Sequence, residues 1–505
     1  MGGVYVGAVV EGPAWCAPGL GLRAGRYPLA VEGPVMAAVD ALVPGVSTVS
    51  RYARYYGLYW ALARYAAERG LEMDACRRLV RRAEVCLAAV SLRLDDTEKW
   101  PGMGHGVDQV RKLGLGGADP LSAARDGAGS YSPRVWGFWS QYAGPCAVLG
   151  TVTVGSSGLR PGPHPCPDGV AEMFAPLLDM AARKRPDLAD VTGVAELAMQ
   201  YPGQTPDSTA LAELLTATRG GRHDPEEWLG NDNTRRASLR TLARAWQLHP
   251  DAETWMGAFR AAVAYGPTAN EDPLLARERR TQAWRGLLLR HLSVGAWRWL
   301  WALLVDQVLD AGRTSRAELH EWIVRLLPDQ SLASFEASLP DLVDGRGDPL
   351  PAEEQASHLG DVVAQVAVLL LGARRPADLS DLARSTFLGR RADNAAHFLD
   401  PVWVDHLRME FSGRSVRELG RRLVDDMLAQ SHRVALRKLR HNQDGTMTLF
   451  SRLHERNGWY FASSSEGRHN IGLRIPQLGD LARQVGLFSV EEPVTATGRT
   501  LLDLP

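Results

Sequence analysis

The chain is poor in cysteine, and the cysteines it has are not arranged for disulfides or for zinc. Its 505 residues include five cysteines, an odd number, with no Cys-x-x-Cys pair. Cys76 and Cys86 stand ten residues apart, too far for adjacent metal ligands on one helix. The 13 histidines never occur as His-x-x-x-His. The sequence therefore argues against a disulfide framework and the usual helical zinc site, and we expect no cofactor.

Long uninterrupted apolar runs are also lacking. Gly295–Gly312 is the membrane candidate, but Arg298, Asp306 and Asp310 interrupt it. Its longest apolar run is well short of the roughly 20 residues that a membrane span requires, so we interpret it as a buried core helix. The N-terminal residues lack the basic segment of a signal peptide. These features predict a cytoplasmic protein with no membrane partner.

Lysine is rare, and strong net charge is absent. Only four of the 57 basic residues are lysine, and the formal net charge is −1. Arginine suits phosphate recognition and aromatic stacking, but codon bias in a GC-rich genome explains the same excess together with the abundant alanine and glycine. The whole chain therefore gives no reason to expect long-range attraction to nucleic acid.

What is abundant is helical patterning. Apolar and aromatic residues recur at helical spacing in Val35–Leu94, where we predict two or three helices with Ser47 or Thr48 as an N-cap. Similar patterns continue to about Arg440, so the predicted fold class is mainly α. Hydrophobic residues make up 45% of the chain, which is ordinary for a globular protein. The chain is too long to form a single hydrophobic core, so we predict several domains.

Breaks in composition divide the chain into five predicted segments. Gly155–Pro167 holds four prolines and three glycines, so we predict that it has no regular structure and marks a domain boundary. The segments are an N-terminal arm with possible strands (1–35), a helical domain (36–167), a second helical domain (168–345), a helical linker domain (346–414) and a small α/β module (415–505).

The C-terminal module has the clearest local signals. Ser415 and Glu418 form a capping box that opens a helix reaching about Arg440. Met447–Glu455 and Trp459–Ser463 flank Asn457-Gly458, which favours a two-residue hairpin turn. A further helix is predicted over Pro476–Gly486. Helix, hairpin and helix in this compact span suggest a winged-helix-like module.

Catalytic motifs are nearly absent. The chain has no Gly-x-Ser-x-Gly elbow and no phosphate-binding glycine loop. Asp95, Asp96 and Glu98 resemble the acidic metal motif of terpene cyclases, since Mg²⁺ prefers several carboxylate oxygens. The candidate second motif, Asn231–Thr234, lacks the required ligands, and Trp100-Pro101 stops the helix. We therefore expect an exposed acidic loop with no catalytic metal, and more generally no enzyme.

Basic residues concentrate in the C-terminal module. Two readings fit this basic cluster: a surface that follows a nucleic-acid backbone without reading sequence, or a solvated face whose charges suit the helix C-terminus. The candidate nucleic-acid-binding residues are Arg433, Arg437, Lys438, Arg440, Arg452, Arg456, Arg468 and Arg474.

An aromatic stripe lies near the N-terminus. Tyr52, Tyr55, Tyr56, Tyr59 and Trp60 recur at helical spacing beside two arginines. Such residues can stack on exposed bases. A helix that packs tyrosine and tryptophan against its neighbours has the same pattern, and we favour core packing.

The same region carries one resemblance. Pro44-Gly45-Val46-Ser47-Thr48 followed by Ala53-Arg54-Tyr55-Tyr56 resembles uncharacterised bacterial proteins encoded in anti-phage defence islands. The resemblance covers about 20 of the 505 residues and transfers no catalytic residue. It implies a multi-protein defence setting, often beside helicases or nucleases.

Three hypotheses follow. The chain is a non-catalytic component of a bacterial defence assembly that contacts DNA or a DNA-processing partner through its C-terminal module. Alternatively, it is a free-standing, terpene-cyclase-like enzyme with an acidic metal site at Asp95–Glu98, or a pure scaffold protein without nucleic-acid contact.

Overall fold

The chain is mainly α-helical, as predicted. A computed structural model describes residues 20–93, 137–156, 158–183, 196–199, 205–389, 398–489 and 491–505. Helices account for about 62% of them, and the sheets are small. Among these residues no helix is both long and apolar enough to cross a membrane.

The chain divides into two compact units, and each unit combines two separate segments. The first unit consists of Met1–Ala38 and Val263–Gly472, and the second of Val39–Ala262 and Leu473–Pro505. The five-segment division predicted from composition is linear and stays a prediction, as does the winged-helix arrangement. The region predicted to form that module contributes to both units, because the boundary at Gly472 falls inside it.

The first unit is built around one long helix, Arg279–Ala311. Its Trp284, Trp297 and Trp301 side chains are almost completely buried, which confirms the prediction of a core helix in this region. A Cβ at Gly286 would lie only 2.0 Å from the carbonyl oxygen of Ala383, so the glycine permits close packing of the helix Asp381–Leu388. The helices of this unit lie at Thr268–Glu271, Pro273–Arg277, Arg279–Ala311, Arg316–Leu326, Leu332–Ala337, Ala352–His358, Val362–Arg374, Asp381–Leu388, Pro401–Glu410 and Val416–Arg437.

Two three-stranded sheets complete the first unit. Within the described ranges the strands are, in chain order, β1 (Leu20–Arg23), β2 (Val152–Gly155), β3 (Gly158–Pro161), β4 (Thr314–Ser315), β5 (Arg440–His441), β6 (Met447–Phe450), β7 (Leu453–Arg456) and β8 (Trp459–Ala462). One sheet of the first unit has the order β1-β6-β5, in which β1 runs parallel to β6, and the other has the order β4-β8-β7. Both sheets bring strands from distant parts of the chain together.

The predicted hairpin is confirmed, and its first strand is shorter than expected. β7 and β8 pair antiparallel around Asn457 and Gly458, whose φ angles of 53° and 77° suit a two-residue turn. Met447–Glu455, the first segment of the predicted hairpin, is divided between two strands, β6 and β7, and only β7 belongs to the hairpin. The chain leaves the first sheet at buried Ser451, whose hydroxyl donates to the carbonyl of Leu453, and then joins the second sheet.

The helix before this hairpin also follows its local signals. It spans Val416–Arg437, and the capping box is present: Ser415 accepts from the backbone of Glu418, and Glu418 accepts from the backbone of Ser415. Its buried positions recur every three or four residues, as in Leu419 and Leu423.

The second unit has an aromatic core. Tyr55, Tyr59 and Tyr142 are buried against one another, with ring centroids 5.3 to 5.7 Å apart. Core packing of the aromatic stripe is therefore confirmed. The helices lie at Ala53–Glu68, Met73–Arg93, Ala143–Val148, Asp168–Ala182, Pro206–Thr216, Gly230–Leu248, Ile475–Gln484 and Ala496–Leu502, with a π-helical turn at Phe138–Tyr142. Gly33–Leu42 and Trp255–Val263 run across the unit boundaries.

Two local predictions in the second unit are wrong. Part of Gly155–Pro167 is regular, because β2 and β3 pair antiparallel. β3 begins at Gly158, whose φ of 108° lies in the region that favours glycine. Neither Ser47 nor Thr48 is an N-cap: the helix begins at Ala53, with Tyr52 at its N-cap position. The Ser47 hydroxyl instead accepts from the backbone N–H of Ser50 at 3.2 Å, closing a turn.

Candidate functional site

A cavity of about 910 Å³ lies in the first unit, beside the hairpin. We call it the hairpin cavity. Its wall is mostly apolar, and the helix Val416–Arg437 and the β7–β8 hairpin supply most of it. It is lined by Leu22, Arg316, Arg422, Asp425, Asp426, Leu428, Ala429, Ser431, His432, Ala435, Leu449, Leu453, His454, Glu455, Arg456, Tyr460 and Phe461.

One carboxylate of the cavity is fixed by two basic side chains. Asp425 accepts from Arg316 Nε at 2.6 Å and from His320 Nε2 at 2.7 Å, and its other oxygen lies 2.6 Å from a terminal nitrogen of Arg316. Burial by itself raises the pKa of Asp425, but these hydrogen bonds outweigh burial and hold the pKa below its usual value. Asp425 is therefore ionised and fully engaged at neutral pH.

The neighbouring carboxylate is more deeply buried. Asp426 accepts from Trp403 Nε1 at 3.1 Å and from Arg422 Nε at 3.0 Å. Burial raises the pKa of Asp426 despite these two donors. The Arg422 guanidinium also lies over the Trp403 ring, 5.7 Å from its centroid. The contacts hold the Arg422 side chain in place at the cavity wall.

The hairpin contributes a histidine with an unused hydrogen-bonding atom. The His454 ring stacks on Phe461, with centroids 5.6 Å apart and ring planes 17° apart. Its Nδ1 is buried and has no hydrogen-bond partner in the part of the chain that the structure describes. Burial lowers the pKa of His454, so the ring is neutral at pH 7.

The hairpin also brings opposite charges to the cavity. Glu455 and Arg456 are exposed neighbours on β7, and Glu455 stands opposite Tyr460 of β8. Burial and the nearby Glu455 raise the pKa of Tyr460, which therefore keeps its phenolic proton. The cavity thus combines apolar walls with fixed, paired polar groups, which is the composition of a small-molecule site.

Two of the predicted nucleic-acid-binding arginines lie in ion pairs of the first unit. Arg452 pairs with the half-buried Glu466, and Arg468 pairs with Asp306 at 2.8 Å. A guanidinium that is paired with a carboxylate attracts a phosphate less strongly, because the carboxylate partly neutralises its charge. Arg456 lines the hairpin cavity. These placements do not test nucleic-acid binding, and the basic cluster stays a prediction.

Two more members of the predicted basic cluster are also engaged. Lys438 donates to the backbone carbonyls of Arg26 and Tyr27, which fixes the chain just after β1. Arg474 belongs to the second unit, where it pairs with Asp40 and donates to the carbonyl of Val46 at 2.9 Å. Both side chains stabilise the fold in ways that spacing along the sequence did not indicate.

The remaining three arginines are exposed. Arg433 lies over the ring of Phe398 at 4.2 Å, and Arg440 lies 5.7 Å from the ring centroid of Phe450. Arg437 stands in the last turn of its helix. None of the three forms an ion pair with a carboxylate within the described ranges. They are the members of the predicted set best placed to contact phosphate.

The candidate metal motif at Asp95, Asp96 and Glu98 lies outside the described residues. That these carboxylates bind no catalytic metal therefore stays a prediction. Among the residues that are described, no cluster of three or more histidine, cysteine or acidic side chains could hold a metal ion. Asn231–Thr234, the candidate second motif, is part of a helix, and its Asp232 is buried against His164 at 2.8 Å and Arg235 at 2.7 Å.

Sequence reasoning missed the two central carboxylates, although a signal was present. Asp426 stands three residues after Leu423 and seven after Leu419, within the apolar stripe of its helix. A carboxylate in an apolar stripe is unusual unless it has a buried partner. Its partner Trp403 and the Asp425 partner Arg316 are far away in sequence, so their identity had no local signal.

The residues that carry the defence-island resemblance serve packing. Arg54 is buried and pairs with buried Asp207 at 2.8 Å, while Tyr55 and Tyr56 lie in the core of the second unit. The Tyr56 hydroxyl donates to the carbonyl of Gly45 at 2.8 Å, which links the two halves of the motif. The pattern therefore describes a structural element of this chain.

Comparison with known proteins adds no candidate function. The chain matches no protein-family model, no curated protein and no solved structure. The defence-island resemblance accordingly stays an expectation from a short stretch of sequence, and the hairpin cavity is the best basis for a functional proposal.

Proposed function

We propose that the first unit binds a small-molecule ligand in the hairpin cavity. The observation that carries the proposal is the cavity itself, with a volume of about 910 Å³ and mostly apolar walls. Sites for drug-sized ligands have volumes of roughly 300–1,000 Å³, apolar walls and a few fixed polar groups. Asp425 and Asp426 are such fixed groups, because each is held by two donors.

The proposal is tested by filling the cavity from one helix. Ala435 is buried and lines the cavity, whereas the next residue, Leu436, is 54% exposed and does not. We expect Ala435→Trp to abolish binding of an uncharged fluorescent probe, N-phenyl-1-naphthylamine, and Leu436→Trp to leave it unchanged. Ala429→Trp, at an exposed lining position, is a second blocking variant that disturbs less packing.

Two outcomes would contradict the proposal. The wild-type protein would fail to enhance probe fluorescence, or both lining variants would bind the probe as tightly as Leu436→Trp. Thermal denaturation of each variant shows that the fold is retained, so a loss of probe signal reports on the cavity.

A second candidate function is sequence-independent nucleic-acid contact, as part of a defence assembly. It is supported by the exposed Arg433, Arg437 and Arg440, which lack carboxylate partners in the described part of the chain. The affinity should fall by about 0.9 log units per log unit of salt for each phosphate contacted.

The test compares two triple variants by fluorescence anisotropy on DNA at several salt concentrations. Replacing Arg433, Arg437 and Arg440 by alanine should weaken all sequences alike and reduce the salt slope. Replacing three exposed arginines elsewhere in the unit, Arg277, Arg279 and Arg346, serves as the control for lost net charge. Equal losses in both variants would contradict a specific role for the first set, and a wild-type protein without salt-dependent binding would favour the scaffold hypothesis.

A further inference from the structure

We infer that one face of the sheet β1-β6-β5 binds single-stranded nucleic acid, with an unpaired base stacked on Phe450 between Arg23 and Arg440. The inference rests on the second candidate function, since it names the form of nucleic acid that the basic cluster would contact. Three observations support it: the three side chains share one face of the sheet, this face is open to solvent, and the basic surface continues onto the neighbouring helix.

The strand register places the three side chains on the same face. In the pairing of β1 with β6, Arg23 stands beside Phe450. In the pairing of β5 with β6, Arg440 stands opposite Thr448, which precedes Phe450 by two residues. Paired residues, and residues two apart on one strand, point to the same side of a sheet. The Arg440 guanidinium accordingly lies 5.7 Å from the centroid of the Phe450 ring. We call this side of the sheet the stacking face.

The other face of the sheet lines the hairpin cavity. Leu22 and Leu449 contribute to the cavity wall, and each directly precedes a residue of the stacking face. Because successive side chains of a strand point to opposite sides, the sheet separates the stacking face from the cavity. A ligand in the cavity and a strand on the stacking face would therefore not compete for the same space.

The stacking face is open to solvent. Phe450 is half-buried, and both Arg23 and Arg440 are exposed. Neither arginine forms an ion pair with a carboxylate in the part of the chain that the structure describes. Their charges can therefore attract phosphates, while the ring offers an apolar surface to a base. Proteins that bind single strands combine basic side chains with aromatic rings in this way.

The basic surface continues onto the end of the helix Val416–Arg437. Arg433 and Arg437 are exposed and four residues apart, which places them on one side of the helix. Lys438, directly after the helix, donates to two backbone carbonyls just after β1. The end of the helix is thus attached beside the stacking face, and its arginines can hold the phosphates of a strand whose base lies on the ring.

Charge by itself would not favour a single strand. Each phosphate that is contacted contributes about 0.9 to the salt slope on duplex DNA and about 0.7 on single strands, because the duplex has the higher charge density. The bases of a duplex are already stacked on their neighbours, so only a single strand offers an unstacked base to Phe450. A preference for the single strand would therefore report on stacking.

The experiment is fluorescence anisotropy on the whole chain, with a labelled single-stranded thymidine 20-mer and a labelled 20-base-pair duplex at the same salt concentrations. We expect the wild type to bind the single strand at least about fivefold more tightly, the lower limit for one stacked base. Inorganic polyphosphate carries phosphates without bases. It should displace the thymidine strand at least about fivefold less well, per phosphate, than unlabelled thymidine strand does.

Two variants separate the ring from the charge. Phe450→Leu should weaken single-strand binding by roughly 5- to 150-fold and duplex binding by less than about twofold, with an unchanged salt slope, because it removes a ring and no charge. Phe450→Trp should retain single-strand affinity, since its larger ring also stacks. Arg23→Ala should instead weaken the binding of both probes and reduce the salt slope by about one contact.

The matched control is another aromatic residue beside an arginine in the same unit. Trp299 is half-buried, and the Arg468 guanidinium lies 5.6 Å from its ring centroid, but this guanidinium is paired with Asp306. We expect Trp299→Leu to change the affinity for either probe by less than about twofold. Thermal denaturation checks that each variant is folded. If Phe450→Leu does not fold, the two probes and polyphosphate on the wild type decide.

The outcomes separate this inference from the candidate function on which it rests. Equal affinity for the two probes, equal competition by polyphosphate, or wild-type single-strand binding by folded Phe450→Leu would overturn the inference. In those cases salt-dependent binding that is weakened by replacing Arg433, Arg437 and Arg440 would still support nucleic-acid contact. Absence of salt-dependent binding to both probes would instead remove that candidate function and this inference together.

Discussion

The ion pair between Glu353 and Arg375 in the first unit should contribute strongly to the stability of the fold. Arg375 is completely buried, and its guanidinium donates to Glu353 Oε1 at 2.8 Å, to the carbonyl of Leu342 at 2.6 Å and to the carbonyl of Leu350 at 2.9 Å. A second nitrogen also contacts the other oxygen of Glu353. Glu353→Gln keeps the shape of the side chain and removes its charge.

The expected loss is large, because the variant leaves a buried guanidinium without its counter-charge. Breaking a buried ion pair from one side costs about 3–5 kcal/mol of the free energy of unfolding. In a unit of this size each kcal/mol lowers the melting temperature by about 2–4 °C, which gives a decrease of about 6–20 °C. Arg375→Met/Glu353→Leu should lose only about 2 kcal/mol, mainly because the carbonyls of Leu342 and Leu350 lose a donor.

Urea denaturation followed by circular dichroism measures these differences. The matched control is Glu321→Gln, which removes an exposed ion pair with Arg421 in the same unit, where the atoms are 3.4 Å apart and the side chains are 63% and 42% exposed. We expect a change of less than about 1 kcal/mol in the control. A loss below about 1 kcal/mol in Glu353→Gln, or a double variant less stable than Glu353→Gln, would refute the reasoning.

Three further predictions concern the whole protein. Burial lowers the pKa of His454 from about 6.5, so the unfolded chain binds a proton at this histidine before the folded chain does as the pH falls. The free energy of unfolding of the wild type should therefore decrease below about pH 6.5 by more than that of His454→Phe. Urea midpoints of both proteins at pH 7.5 and 5.5 would show this difference. Burial raises the pKa of Cys86 and Cys166 to about 12, and Cys76 and Cys146 are also buried. At most one of the five thiols should therefore react rapidly with Ellman's reagent at pH 8. Rapid reaction of two or more thiols in the native protein would be inconsistent with this packing. Far-UV circular dichroism should give helix for more than about half of the residues, and a spectrum with more strand than helix would contradict the fold.

Short-range patterns in the sequence determined the local elements. Helical spacing of apolar residues predicted the mainly α fold, Ser415 and Glu418 predicted the start of a helix, and Asn457-Gly458 predicted the hairpin. Each signal acts between residues within a few positions of one another, through backbone hydrogen bonds and allowed φ angles. These helices and the hairpin turn can therefore be predicted from local sequence without information about the rest of the fold.

The tertiary structure alone decided what the charged residues do. Spacing grouped Arg452, Arg468 and Arg474 into one basic cluster, but they pair with Glu466, Asp306 and Asp40, the last two far away in the chain. Likewise, Asp425 became a fixed group of the hairpin cavity through Arg316, 109 residues earlier. A side chain's charge is effective only when no counter-charge is near and water is accessible, and both conditions depend on the path of the whole chain.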